Sequence, residues 1–547
     1  MGLIERRVGL LFALFVIAFA LVLGRAAWIQ AVRGGELSAD ARSQQVEAID
    51  VPAERGSIFD RRGRELAVSE TAATIFATPY QLDDPAAAAR RISKALEMPA
   101  ADVLEAISDR NSGFAYVARD VSLGAAERVR ELGIEGVGVI PDSRRVYPQG
   151  PLAAQLVGAV GTDEEGIYGL EASQEETLRG TPGKVEVIND GLGEEIERDI
   201  QATVEPGRDI SLTIDARLQA GVEQVLSDLG ETHSPAGATA IVMDPGTSEV
   251  LALANWPPAN PEDAGSEPEE AFRNRATAFT YEPGSTFKAF TVAGALSEGV
   301  VDPGTVFDLP PTIQVADREI GEAHDRGPIS LSVAEILAQS SNVGAVKIGL
   351  ELGPERFDRW VRRFGFGKAG GVDIPSEQGV VPRPEDYSGS SMGNLPIGQG
   401  LSVTPLQMAA GYAAIANGGT FRTPRLLLDD TAQAARGRRV LTKGTAASLS
   451  RMLEGVLAPG GTAASVSVPG YSLAGKTGTA EKVVDGVYSE TAFISSFVGF
   501  APAERPRLLA AVVVDEPEGV YSGSEVAAPA FGKIMSFALP ELGVEPR

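Results

Sequence analysis

Three short runs of residues could carry out chemistry together. Ser285 and Lys288 stand three residues apart in Ser285-Thr286-Phe287-Lys288, directly after Pro283-Gly284 and at the head of an apolar stretch. Residues at that spacing share one helical face, so the lysine amine can reach the serine hydroxyl. The N-terminus of a helix favours negative charge developing on that oxygen. Burial among Phe287, Phe290 and Val292 would disfavour the ammonium form and make Lys288 a general base for a serine nucleophile. In the second run, Ser340-Ser341-Asn342, a hydroxyl and an amide lie two residues apart on a turn between helices, one to relay a proton and the other to bind a substrate amide. The third, Lys476-Thr477-Gly478-Thr479, follows Gly475 into an edge strand. There a cation and two hydroxyls suit a carboxylate, and glycine lets a substrate backbone come close. Taken singly, each run has a plainer reading as a surface pair, a helix-capping cluster or a turn. Each pattern occurs once in the chain, in this order.

The elements that would position these runs follow from periodicity. Residues 238–244 and 249–255 are apolar strands joined by the turn residues Pro245-Gly246-Thr247-Ser248, which predicts a hairpin. A second hairpin is predicted from 495–502 and 507–517 around Glu504-Arg505-Pro506. Helical patterns over 286–299, 332–352 and 404–419 lie between them. Hairpins at both ends with helices inserted predict an α+β domain built on one sheet. Residues 30–206 are mixed and charged, with short strands and brief helices such as 85–98 and 101–110, and contain no nucleophile-base pair; they suggest a scaffold.

Composition narrows the function classes. With 547 residues, two or three compact units are expected. Forty-eight basic against 74 acidic residues give a net charge of −26, which argues against nucleic-acid binding. Cysteine is absent, so disulfides, thiolate metal sites and cysteine nucleophiles are excluded. The two histidines, His233 and His324, lie far apart, suggest surface or structural roles, and leave a serine-histidine-aspartate triad without its base. Residues 8–23 are uncharged and apolar, preceded by Arg6 and Arg7 and followed by Arg25 and Trp28. This predicts an uncleaved transmembrane anchor over 8–29, since no small-x-small cleavage site follows it. The flanking arginines put residues 1–7 in the cytoplasm and the remainder outside.

The three motifs in this order resemble the signature of penicillin-binding proteins and serine β-lactamases. The chain is also similar to the class B penicillin-binding proteins through Arg55-Gly56-Ser57-Ile58-Phe59-Asp60-Arg61, Arg145-Val146-Tyr147-Pro148, Gly169-Leu170-Glu171, Leu212-Thr213-Ile214-Asp215, Gly398-Gln399-Gly400 and Thr404-Pro405-Leu406-Gln407. Its ending, Asp515-Glu516-Pro517 with Ala527-Ala528-Pro529-Ala530-Phe531, looks most like the division-specific transpeptidases, apart from Ser522-Gly523-Ser524 near Tyr521.

The resemblance implies a mixed α/β pedestal, or dimerisation, domain over 30–206. It implies a transpeptidase domain over 207–547 with a five-stranded antiparallel sheet flanked by helices. Ser285 would attack the D-alanyl-D-alanine carbonyl of a peptidoglycan stem peptide, and a neighbouring stem's amine would resolve the acyl-enzyme. Lys288, Ser340, Asn342 and Lys476 would serve catalysis. The N–H groups of Ser285 and Thr479 would form the oxyanion hole, and the Thr477 and Thr479 hydroxyls would bind the terminal carboxylate, with Gly478 letting the substrate backbone approach. No cofactor or metal is implied. β-Lactams, the plasma membrane, a separate SEDS-type glycosyltransferase and divisome proteins are the implied partners. An elongation role, a β-lactamase and a non-catalytic β-lactam sensor are the alternatives; the glutamate-x-x-leucine-asparagine pattern of class A β-lactamases does not occur.

Overall fold

The structure is a computed structural model that describes residues 2–33, 46–51, 53–189, 195–428, 437–484 and 486–546. It divides into two compact units. One is assembled from the ranges 1–55, 71–143 and 179–207, the other from 56–70, 144–178 and 208–547.

In the first unit, helix α1 (Gly2–Trp28) and the helical turn that continues it, Ile29–Arg33, carry an apolar span of 26 residues, Arg6–Ala31, whose most apolar window has a mean hydropathy of 2.5 and is not buried. At about 1.5 Å per residue such a span exceeds a hydrocarbon core of about 30 Å. The expected brief helices are present as Pro85–Leu96 and Ala100–Ala106. Asp84 caps the first by accepting from the Ala87 amide at 2.9 Å, with proline at the position where a missing N–H is harmless. Ile92, Val103, Ile107 and Val129 pack with strand residues Ile75 and Val117 in a small separate core. A three-stranded antiparallel sheet joins Val46–Val51, Gly183–Asn189 and Glu195–Ala202.

The second unit is built on five antiparallel strands: β1 (Gly237–Met243), β2 (Val250–Trp256), β3 (Ala474–Val484), β4 (Val487–Ala501) and β5 (Leu508–Asp515), in the order β2-β1-β5-β4-β3. Both expected hairpins, β1-β2 and β4-β5, form. Every residue of β1 and β5 is buried, as expected for central strands covered on both faces. Side chains alternate between those faces. Ala238, Val242, Val512 and Val514 meet Leu218, Val222 and Leu226 of α2 (Ala216–His233) and Phe531, Ile534 and Met535 of α8 (Ala527–Glu541). Ile241, Met243, Ala511 and Val513 face a larger core that includes α3 (Lys288–Ser297) and α6 (Pro405–Ala416). The stretch 332–352 divides into α4 (Val333–Ala338) and α5 (Asn342–Leu352), so the second motif lies at a break between helices. Helix α7 (Lys443–Glu454) adds Leu449, Met452 and Leu453 to the larger core.

The runs outside the three motifs are joints of this unit. Arg145 and Glu171 form an ion pair at 2.7 Å with side chains 1% and 0% exposed, linking two segments that look unrelated in sequence. Thr213 donates to the Val250 carbonyl at 2.6 Å, and Asp215 caps α2 by accepting from the Arg217 amide at 3.0 Å. Thr404 and Gln407 form a reciprocal capping box at the head of α6.

Candidate active site

Ser285 lies in a tight helical turn, Gly284–Phe287, that feeds directly into α3 at Lys288. Three anchors hold the turn. Gly284, at φ +53°, donates to the Gly398 carbonyl at 3.0 Å. Thr286 donates to the Pro283 carbonyl at 2.7 Å, and the wholly buried Tyr412 of α6 donates to the Thr286 carbonyl at 2.7 Å. Phe287 and Phe290 pack on Phe366 at 5.2 and 4.8 Å, so the side of α3 away from the site is an aromatic core. Ser285 faces the other way, into a cavity of about 260 Å³ that Ser340, Asn342, Thr477 and Thr479 also line.

Lys288 is 1% exposed. Its amine donates to the Ser340 carbonyl at 2.6 Å, to Ser340 Oγ at 3.3 Å and to Asn342 Oδ1 at 2.6 Å. Ser340 reaches it because its backbone is left-handed, at φ +61°, which turns both its oxygens toward the amine. No hydrogen bond joins Lys288 to Ser285 in this arrangement, because the amine's donors are directed to the second motif. The expected direct pair is therefore replaced by a lysine held next door. Burial pulls Lys288 down to about 7; the carboxylate of Glu322 opposes this shift and the Arg326 guanidinium adds to it.

Lys476, on edge strand β3, is 0% exposed and hydrogen-bonds Thr477 at its carbonyl (3.1 Å) and hydroxyl (3.3 Å). Burial, and then the positive charge of Lys288, hold it well below the ordinary lysine range. Thr477 also shares a hydrogen bond with Thr462 at 2.8 Å. The Thr479 hydroxyl accepts from the Gly523 amide at 2.9 Å, so Ser522-Gly523-Ser524 forms part of the rim. At Gly478 a Cβ would lie 2.4 Å from Ser496 Oγ and 2.9 Å from Thr286 Cγ2, so the glycine is what allows the strand and the Ser285 turn to touch.

All eight expected residues thus gather in one place, five side chains or turns around the cavity and two buried amines behind it, with Gly478 as the close contact. Sequence reasoning missed Glu322, which follows a small hairpin of Thr312–Val315 with Arg318–Gly321. Its carboxylate accepts from Ser341 Oγ at 2.7 Å and from the Asn342 amide at 2.8 Å, and pairs with Arg326. It therefore clamps the turn that grips Lys288. No motif marks it; the only signal is an acidic residue in a charged loop shortly before the second motif. Thr462 had no signal at all. His324 is exposed at the cavity wall, and His233 is half-buried at the end of α2.

A serine and two buried lysines thus meet beside the edge strand of an antiparallel sheet backed by helices. The model of the penicillin-binding protein transpeptidase domain matches residues 238–536, and that of the penicillin-binding protein dimerisation domain matches residues 50–212. Peptidoglycan D,D-transpeptidase FtsI of Escherichia coli is 34% identical over 99% of this chain and 93% of its own. Stage V sporulation protein D of Bacillus subtilis is 34% identical over 98% of this chain and 86% of its own. Penicillin-binding protein 3 from Mycobacterium tuberculosis, solved in complex with aztreonam, superposes with a TM-score of 0.72 at 28% identity, covering 91% of this chain and 98% of that one. The chain belongs to the class B penicillin-binding proteins and is a serine-type peptidoglycan D,D-transpeptidase. Its substrates are peptidoglycan stem peptides, it binds β-lactams, and its apolar helix makes it a membrane-anchored protein.

Proposed function

We propose that Ser285 forms the acyl-enzyme in stem-peptide cross-linking and that Lys288 is its general base. The observation that carries this reading is a buried amine, shifted to about 7, on the turn next to Ser285. A base near the operating pH combines a usable neutral fraction with adequate proton affinity. When Lys288 sheds its proton it needs only two of its three acceptors, which frees a lone pair to take the Ser285 proton. Ser285 Oγ then bonds to the carbonyl carbon between the two terminal D-alanines. The amides of Ser285 and Thr479 stabilise the oxyanion. Ser340, with Lys476 behind Thr477, passes a proton to the departing D-alanine amine, and Asn342 holds the donor peptide. Thr477 and Thr479 grip the terminal carboxylate against the open backbone of Gly478. An amine of a second stem attacks the ester, and Ser285 recovers its proton.

On this reading residues 1–7 are cytoplasmic, 8–29 cross the plasma membrane, 30–206 form a pedestal and 207–547 catalyse outside. The role is septal, supported by the C-terminal resemblance, with a SEDS-type glycosyltransferase supplying glycan strands and divisome proteins as neighbours. Fluorescent penicillin should label the wild type stoichiometrically and leave Ser285→Ala unlabelled; undiminished labelling of the variant would sink the nucleophile assignment. A fluorescent fusion confined to the side wall would overturn the septal role.

A further inference from the structure

Away from the catalytic cavity, a second one of about 400 Å³ opens where the segment after α5's neighbouring helix, Pro354–Arg363, passes the head of α6. Four of its wall residues are cationic, Arg362, Lys368, Arg422 and Arg438, and among the described residues no carboxylate lines it. That composition runs against the chain as a whole, which has 74 acidic residues to 48 basic. Arg362 is paired with Asp358 at 2.8 Å. Among the described residues, Lys368, Arg422 and Arg438 have no carboxylate at ion-pair distance.

The walls are also fixed in place. Gln407, nearly buried and itself held by the Thr404 capping box, donates to the carbonyls of Lys368 at 2.6 Å and Gln378 at 2.9 Å. Arg362 donates to the carbonyls of Val381 at 3.2 Å and Pro382 at 3.3 Å. The Arg438 guanidinium lies over the Phe421 ring at 5.5 Å. Like charges gathered around one cavity without counterions repel one another. An anion entering the cavity removes that repulsion and meets planar guanidinium forks suited to phosphate oxygens.

We propose that this cavity binds a phosphate-bearing anion, either a soluble phosphate ester or the headgroup of an anionic lipid. The claim is independent of the acyl-transfer reading. It is tested on the full chain in neutral detergent by calorimetric titration with inorganic pyrophosphate. Loss of two or more charge-assisted contacts should weaken binding at least about tenfold in K368Q/R422Q/R438Q. The control R505Q/R507Q/K533Q removes the same charge from elsewhere and should bind within about twofold of wild type. Equal affinity in wild type and cavity variant, or an equal loss in the control, overturns the proposal. Penicillin labelling of the cavity variant at the wild-type level certifies its fold. Repeating the titration in micelles doped with phosphatidylglycerol separates the sources: displacement of pyrophosphate assigns the site to a lipid headgroup, and unchanged binding assigns it to a soluble phosphate.

Discussion

Changing the pH perturbs the site in the most direct way, because the proposed base is a lysine whose ammonium form burial disfavours. Moving Lys288 from 10.5 to about 7 corresponds to about 5 kcal/mol of differential stabilisation of the neutral amine. The neutral fraction is then about nine-tenths at pH 8, half at pH 7, a tenth at pH 6 and a hundredth at pH 5. Acylation by a fluorescent penicillin, followed by stopped flow under second-order conditions, should fall about tenfold from pH 8 to pH 6 and level off above pH 8. An unshifted lysine would instead give a rate that climbs tenfold per unit to beyond pH 9. The charged neighbours that set this limb are Glu322 and Arg326, on the segment after the small hairpin. Glu322 raises Lys288, so Glu322→Gln should shift the acid limb to lower pH; Arg326 lowers it, so Arg326→Gln should shift the limb the other way. A rate still climbing at pH 9, or two variants that move the limb in the same direction, would refute the reasoning.

Gly478→Ala should both slow acylation and destabilise the domain by about 1–3 kcal/mol, the usual effect of overpacking, because the new methyl meets Ser496 and Thr286 at 2.4 and 2.9 Å; thermal melting alongside penicillin labelling checks both. Arg145→Ala removes the guanidinium paired at 2.7 Å with the buried Glu171 carboxylate and should cost about 3–5 kcal/mol in urea unfolding, whereas Arg145→Met with Glu171→Leu should cost far less.

How far the sequence carried the site depends on what each part is made of. The reactive residues are legible because chemistry demands particular types at short spacings, as at Ser285 and Lys288. The hairpins flanking 245–248 and 504–506 are legible because turn residues interrupt apolar runs. Long-range pairings leave no such trace. Arg145 and Glu171 find each other 26 residues apart, and Glu322 reaches Asn342 from 20 residues away, with no periodicity linking either pair. The left-handed backbone of Ser340 was equally hidden, since serine has no special claim on that conformation and only the contacts around it impose it. Nor does composition reveal that 56–70 and 144–178, within the pedestal's stretch of sequence, pack in the unit that holds Ser285, because chain connectivity is all that a linear reading follows.

The backbones around Ser285 nest so tightly that side chains have no room there. A Cβ on Gly398 would lie 2.2 Å from the Gly284 carbonyl oxygen, and one on Gly523 would lie 2.2 Å from that of Gly478. A lineage under antibiotic selection consequently has little freedom at these contacts without forfeiting its own wall synthesis. Drift that tells drug from natural peptide is channelled to the rim, where Ala323, Gln399, Ser522 and Ser524 border the cavity.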